Sequence, residues 1–319
     1  MALLYYDREE KLRRDSGCGS HAAFIAPAKW PRTKEGKNGM DPIKRLLSAK
    51  MEHCAITLYQ VAAQSADDLH DHEEFYQISI PLGGSPHMQC NREVRRVAGG
   101  ERLVLSPGYQ HRHFAGDETA LMMLVFVQES FLRKVMSDRL EKEAGSIEFA
   151  PWGNGATDRF RLLAEKSVMQ TMKNPLNVLE RQELEWELAS LLLSLQEGTH
   201  AIPARGDLAA VDHPAIRRAI ELIHDESSAD LTLDRLVEVS GISKYHLIRL
   251  FREQTGQTPG RFLAEQRIKK ARSLLEGTSL DITFIAYESG FGSLRTFERA
   301  FKNAFGASPS EYRRQRGKR

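Results

Sequence analysis

Apolar positions change their spacing along the chain. Over residues 55–61, 75–81, 101–105 and 121–127 they form short runs of strand length, rich in β-branched and aromatic types. Turn-forming groups separate the runs: Gly83-Gly84-Ser85-Pro86, Gly99-Gly100, Pro107-Gly108 and Gly116-Asp117. Several short strands at close spacing predict an antiparallel barrel or sandwich. After Gln128 the spacing turns helical, over 131–142, 158–172 and 176–195. In the last of these, Leu184, Leu188, Leu191, Leu192 and Leu195 form one apolar face with Trp186 on its flank. Such a stripe suits packing against the barrel or a dimer seam. Residues 1–50 are polar and irregular and read as a mobile arm. Residues 198–212, with Pro203 and Gly206, read as a linker, and everything from His213 onward is helical in pattern.

That last region contains a repeat. Leu233, Leu236, Ser240 and Gly241 recur 49 residues later as Ile282, Ile285, Ser289 and Gly290. Phe251, Gly256, Pro259 and Phe262 recur 50 residues later as Phe301, Gly306, Pro309 and Tyr312. Each copy predicts a short helix stopped at Ser-Gly, because glycine accepts the left-handed backbone that ends a helix. Ser243 and Ser293 stand where the next helix needs an N-cap. The second helix turns Leu247, Leu250 and Phe251 inward in one copy, and Phe297, Ala300 and Phe301 in the other. A long helix from Pro259 to Leu275 joins the copies and would hold two recognition helices about 34 Å, or one DNA turn, apart.

Charge strengthens this picture. The chain of 319 residues has a net charge of +2, yet residues 241–319 hold 16 Lys/Arg against 7 Asp/Glu. The remainder is acidic, 29 against 36, so the basic block is a footprint for a polyanion. Cys18, Cys54 and Cys90 share no short spacing, which argues against a disulfide framework or clustered thiolate zinc site and fits a reducing cytoplasm. No apolar run is long enough to span a bilayer, and charge arrives too early for a secretory signal.

The stretches Ser240-Gly241-Ile242-Ser243 through Leu250-Phe251, and Ser289-Gly290-Phe291 through Ala307-Ser308-Pro309-Ser310-Glu311-Tyr312-Arg313, resemble the AraC/XylS family of bacterial regulators over residues 213–319. The resemblance implies DNA binding by two helix-turn-helix units and an N-terminal regulatory or dimerisation domain. Removing inward positions leaves Lys244, Tyr245, Ile248, Arg249 and Arg252 facing out in the first unit. Leu294, Arg295, Thr296, Arg299 and Lys302 remain in the second. By similarity, Tyr245, Ile248 and Arg249, and Leu294, Arg295, Thr296 and Arg299, hold base-facing positions. Arginine suits guanine, and Thr296 a thymine methyl. Lys244 and Lys302 suit phosphates. Arg299 has a structural alternative, with Glu298 and Asn303 nearby.

A second cluster reads Leu69-His70-Asp71-His72-Glu73-Glu74, followed by Pro107-Gly108-Tyr109-Gln110-His111-Arg112-His113. Its spacing resembles the cupin barrel, and His70, His72 and His111 match the histidines of metal-binding cupins. Positions i and i+2 share a strand face, so joint ligation is allowed, with Glu74 on that face too. Where a cupin glutamate is expected the chain has Tyr76 and Gln77. AraC-type regulatory domains usually keep such histidines without metal. The expectation is therefore no metal and no cofactor, with His70, His72, Tyr76, His87, His111 and His113 lining an effector pocket.

The whole reads as α+β. A mobile arm (1–50) precedes a cupin-like antiparallel β-barrel with following helices (51–197). A linker (198–212) leads to an all-α domain of two helix-turn-helix units joined by a linker helix (213–319). The expected function is a cytoplasmic, sequence-specific regulator of transcription, an activator by family resemblance, and not an enzyme. The expected partners are double-stranded DNA, a small-molecule effector, a second copy through helices 158–196 and, for an activator, RNA polymerase, but no membrane. The alternative is a metal-dependent cupin enzyme or metal sensor fused to a DNA-binding module.

Overall fold

A computed structural model describes residues 43–97, 100–155, 157–173, 177–195 and 213–316. Most of the expected arm (1–42) and the whole of the expected linker (198–212) lie outside the described residues. The end of that arm does not fit the expectation. Ile43–Lys50 forms β1, antiparallel to β2 (Cys54–Val61). Its exposed Lys44, Arg45 and Lys50 give an edge strand the polar look of a tail.

The remaining strands are β3 (Phe75–Gly83), β4 (Pro86–Cys90), β5 (Glu93–Arg96), β6 (Glu101–Leu105), β7 (His111–Ala115), β8 (Ala120–Gln128) and β9 (Trp152–Asn154). They form a six-stranded sheet, β1-β2-β8-β3-β6-β9, and a three-stranded sheet, β5-β4-β7. The described strands thus follow the sandwich alternative rather than one sheet closed on itself. Register separates the two faces of the large sheet. Tyr76, Ile78 and Ile80 pair with Val127, Val125 and Met123, and this face packs on helices. Gln77 and Ser79 pair with Phe126 and Leu124 on the opposite face, toward His113 of the small sheet. Both faces of β3 and β8 are covered, so these strands read as runs rather than alternations.

The helical layer comprises α1 (Glu129–Leu140), α2 (Thr157–Lys173) and α3 (Val178–Leu193). Asn177 opens α3 with a reciprocal capping box to Glu180. Leu188 and Leu192 are fully buried within the chain, and Leu184, Trp186 and Leu191 nearly so. The leucine stripe is therefore internal core, which removes it as a dimer seam.

The C-terminal helices are α4 (Pro214–Asp225), α5 (Leu233–Ser240), α6 (Lys244–Thr255), α7 (Pro259–Gly277), α8 (Ile282–Glu288), α9 (Leu294–Phe305) and α10 (Pro309–Arg316). Helices α4 to α6 share one core with the N-terminal helices. Helices α8 and α9 pack on the far half of α7 in a separate cluster around Ala271, Ile285, Phe297 and Phe301.

Candidate nucleic-acid interface and inter-sheet histidine cluster

The helix pairs α5–α6 and α8–α9 carry the predicted punctuation. Gly241 (φ 73°) and Gly290 (φ 86°) follow the first helix of each pair in the left-handed region. Ser243 accepts the His246 N–H at 3.4 Å, and Ser293 accepts the Thr296 N–H at 3.2 Å. Leu247, Phe251, Phe297 and Phe301 are fully buried. Two arginines that the repeat reading missed stand 49 residues apart beside these turns. Arg218 donates to the Val239 and Ser240 carbonyls at the end of α5. Arg267 donates to the Ser227 and Ala229 carbonyls, against Gly290. The 49-residue offset, carried upstream of Leu233, finds both.

The second pair presents its face. Arg295 and Lys302 on α9 are exposed, and Thr296 and Arg299 are half-buried. The Thr296 hydroxyl is 2.8 Å from Ser293 Oγ, so it serves the cap. Arg295 and Arg299 sit one turn apart. Desolvation, then repulsion from Arg295, lowers the Arg299 pKa. Leu294, expected to face a base, packs partly on the α7–α9 core.

The first pair does not. Lys244 and Ile248 were expected to face out, but both are buried. Lys244 Nζ lies 2.5 Å from Asp234 Oδ1 and 5.8 Å from the Trp186 ring, and Ile248 joins the shared core. The cause is the N-terminal helices, which cover the start of α6. Asp138 of α1 accepts the Tyr245 N–H at 3.0 Å, while the Arg139 guanidinium lies over the Tyr245 ring. Glu141 lies 3.8 Å from His246 Nδ1, and Glu187 of α3 accepts from Arg252 at 2.6 Å. Arg249 pairs with Glu253 along its own helix. These acidic partners were not singled out from sequence. The acidic excess of the N-terminal part was their only signal.

Between the sheets, His70, His72 and His111 come together, each offering a ring nitrogen within 4.8 Å of the others. His113 stands beside them with both ring nitrogens occupied, by Asp67 Oδ2 at 3.0 Å and Ser79 Oγ at 3.0 Å. Burial first, and then His70, pulls the His72 pKa down to about 4, with the Gln77 hydrogen bond opposing. Burial, His113 and His70 lower that of His111 to about 2. The other expected pocket residues lie elsewhere. Tyr76 is on the helix-facing side of β3, donating to the Ile147 carbonyl, because successive strand residues alternate in face. His87 pairs with Phe114 and stacks on its ring, away from the inward Met88–His113 pair. Glu74 is exposed and outside the cluster. Gln77 and Ser79 were missed, although they are polar residues two apart in an apolar strand.

A helix-turn-helix domain family matches residues 236–315, which cover both helix pairs except the first three residues of α5. The multiple antibiotic resistance protein MarA of Salmonella typhimurium is 32% identical over 102 residues, covering 32% of this chain and 80% of that protein. The xylose operon regulatory protein of Escherichia coli is 33% identical over 107 residues, 34% of this chain. The chain spans only 27% of that regulator's length. Among solved structures, the C-terminal domain of AraT, a response regulator from Geobacillus stearothermophilus, is 38% identical, covering 32% of this chain and 86% of that one, with a TM-score of 0.31.

Proposed function

The chain belongs to the AraC/XylS family of transcriptional regulators, and from that premise we propose that it binds specific DNA through α6 and α9 and regulates transcription. The supporting observation is the pair of capped helix–turn–helix arrangements whose second helices both lie in the basic block, α9 with Arg295 and Lys302 exposed and Thr296 and Arg299 half-buried beside them. The named relatives are regulators, which favours this reading over a cupin enzyme.

In this reading residues 43–195 form a cupin-like regulatory domain, and α7 spaces two helix-turn-helix units. The domain acts by docking. Asp138 places a carboxylate on a backbone N–H at the start of α6, where a helix N-terminus otherwise receives a DNA phosphate. Glu187 engages Arg252 in the same manner. The acidic surface stands in for the nucleic-acid backbone and holds the first unit closed. An effector that favours undocking then raises operator affinity. A homodimer belongs to this reading. With the α3 stripe consumed by core, the exposed Leu162 of α2 is the apolar contact this reading offers for it. Recruitment of RNA polymerase would follow for an activator.

Selection of bound sequences from random double-stranded DNA tests the function. The expected outcome is an enriched motif extending over two adjacent major-groove segments. Arg295→Ala should lose affinity for that motif by about 1–3 kcal/mol and far less for scrambled DNA. Failure to enrich any motif would remove the proposal.

A further inference from the structure

We propose that His70, His72 and His111 form a binding site for one divalent first-row transition metal ion. The inference goes beyond the DNA-binding reading and stands independently of it. It revises the expectation that these residues serve an organic effector without metal.

The scaffold is preformed. His70 and His111 face each other in an antiparallel bridge, with His70 N–H donating to the His111 carbonyl at 3.0 Å and the return bond at 2.8 Å. His72, two residues on, brings its ring to 5.0 Å from that of His70 and 5.1 Å from that of His111. Nitrogens bound to such an ion at about 2.0–2.1 Å stand roughly 3.0–3.4 Å apart. The observed separations, within 4.8 Å, close to this by rotating the half-exposed His70 and His72 rings.

The outer hydrogen bonds point the same way. His70 Nδ1 lies 2.7 Å from the Asp68 carbonyl, His111 Nδ1 3.0 Å from the Tyr109 carbonyl, and His72 Nε2 3.0 Å from Gln77 Oε1. Each acceptor holds one ring N–H and leaves the other nitrogen with a lone pair. That is how metal-bound histidines are oriented. His111 Nε2 is the decisive atom. Among the described residues it has no hydrogen-bond partner, on a side chain only 1% exposed. An unmet buried polar group is costly, and a metal ion would meet it. Neighbouring His113 shows the contrast, since both of its nitrogens are engaged. Three imidazoles without a carboxylate favour zinc, nickel, copper or iron over magnesium or calcium. Three protein ligands also leave a coordination position for water or a small ligand.

The test uses the full chain, stripped with a chelator, titrated with zinc by calorimetry and with cobalt(II) by visible absorption. One ion per chain is expected. His70→Ala and His72→Ala should each weaken binding by at least about tenfold. His87→Ala, outside the cluster, should not. Circular dichroism establishes that each variant is folded. Independently of any variant, long-range proton–nitrogen NMR of the wild type should show zinc shifting Nε2 of His70 and His111 and Nδ1 of His72. Absence of stoichiometric binding by the folded wild type, or unchanged affinity in the folded His70→Ala/His72→Ala double variant, overturns the site. So does zinc that leaves these three nitrogens unshifted.

Discussion

At Gly290 the backbone takes φ 86°, and a Cβ there would stand 2.8 Å from Arg267 Nε and 2.8 Å from Ser228 Cα. Neither neighbour can yield, since the Arg267 guanidinium is pinned by two carbonyls. Gly290→Ala should therefore destabilise by about 1–3 kcal/mol or more, read as a lower midpoint in urea. Gly241→Ala should cost less, because among the described residues a Cβ there would meet only Arg218 Nη2, at 3.9 Å. On α9, exposed Lys302 suits phosphate. Lys302→Ala should weaken all DNA sequences alike and lower the salt slope by about one unit, checked by titrating affinity against salt. The caps and turn glycines were legible at this scale because each answers a local backbone demand. Lys244 and Ile248 were not, because what buries them is another part of the chain. Tyr76 was misplaced for a simpler reason. One step along a strand reverses the face, and the polar Gln77 and Ser79 mark the histidine side.

The element that departs most from expectation is α6. Its family-like sequence suggested a free recognition face, but α1 supplies an acidic group to its first turn and α3 one to its last. The Tyr245 bond joins a carboxylate to a helix N-terminus, where the helix dipole adds to the hydrogen bond. The Glu187–Arg252 pair is half-exposed on the arginine side and contributes less. A combined Asp138→Ala/Glu187→Ala change should shift the equilibrium toward the undocked state and tighten DNA binding by about 5–30-fold, measured by fluorescence anisotropy on a selected site. A loss of affinity would contradict the docking account. Helices α3 and α7 were legible from periodicity alone. Whether the α3 stripe faced the chain's own core or a second copy was not, since both need the same apolar spacing. Strand β1 was hidden by its exposed charges.

Across the whole molecule, α3 meets the start of α7 through a buried acid. Glu183 accepts the Gly260 N–H at 2.6 Å, and desolvation raises its pKa from 4.5 to about 8 despite the Thr258 and Gly260 hydrogen bonds. A carboxyl with a raised folded pKa holds its proton more tightly folded than unfolded. Its contribution is greatest below pH 4.5 and declines as pH rises toward about 8. Burial raises Glu180 in the same direction. Glu183→Gln should flatten this segment of the stability profile and stabilise the chain near pH 8 by about 1–3 kcal/mol, seen by denaturation across that range. Acid should thus tighten the contact that joins the two halves. The division into a β-rich part and a basic helical part was legible from spacing and charge. Their mutual docking was not, because complementarity between surfaces leaves no periodic trace. The most direct test is footprinting of the full chain on a selected site, for wild type and the Asp138→Ala/Glu187→Ala variant. The account predicts protection of two major-groove segments about 34 Å apart, reached at lower protein concentration by the variant. Protection that is independent of sequence, or confined to one segment in both proteins, would contradict it.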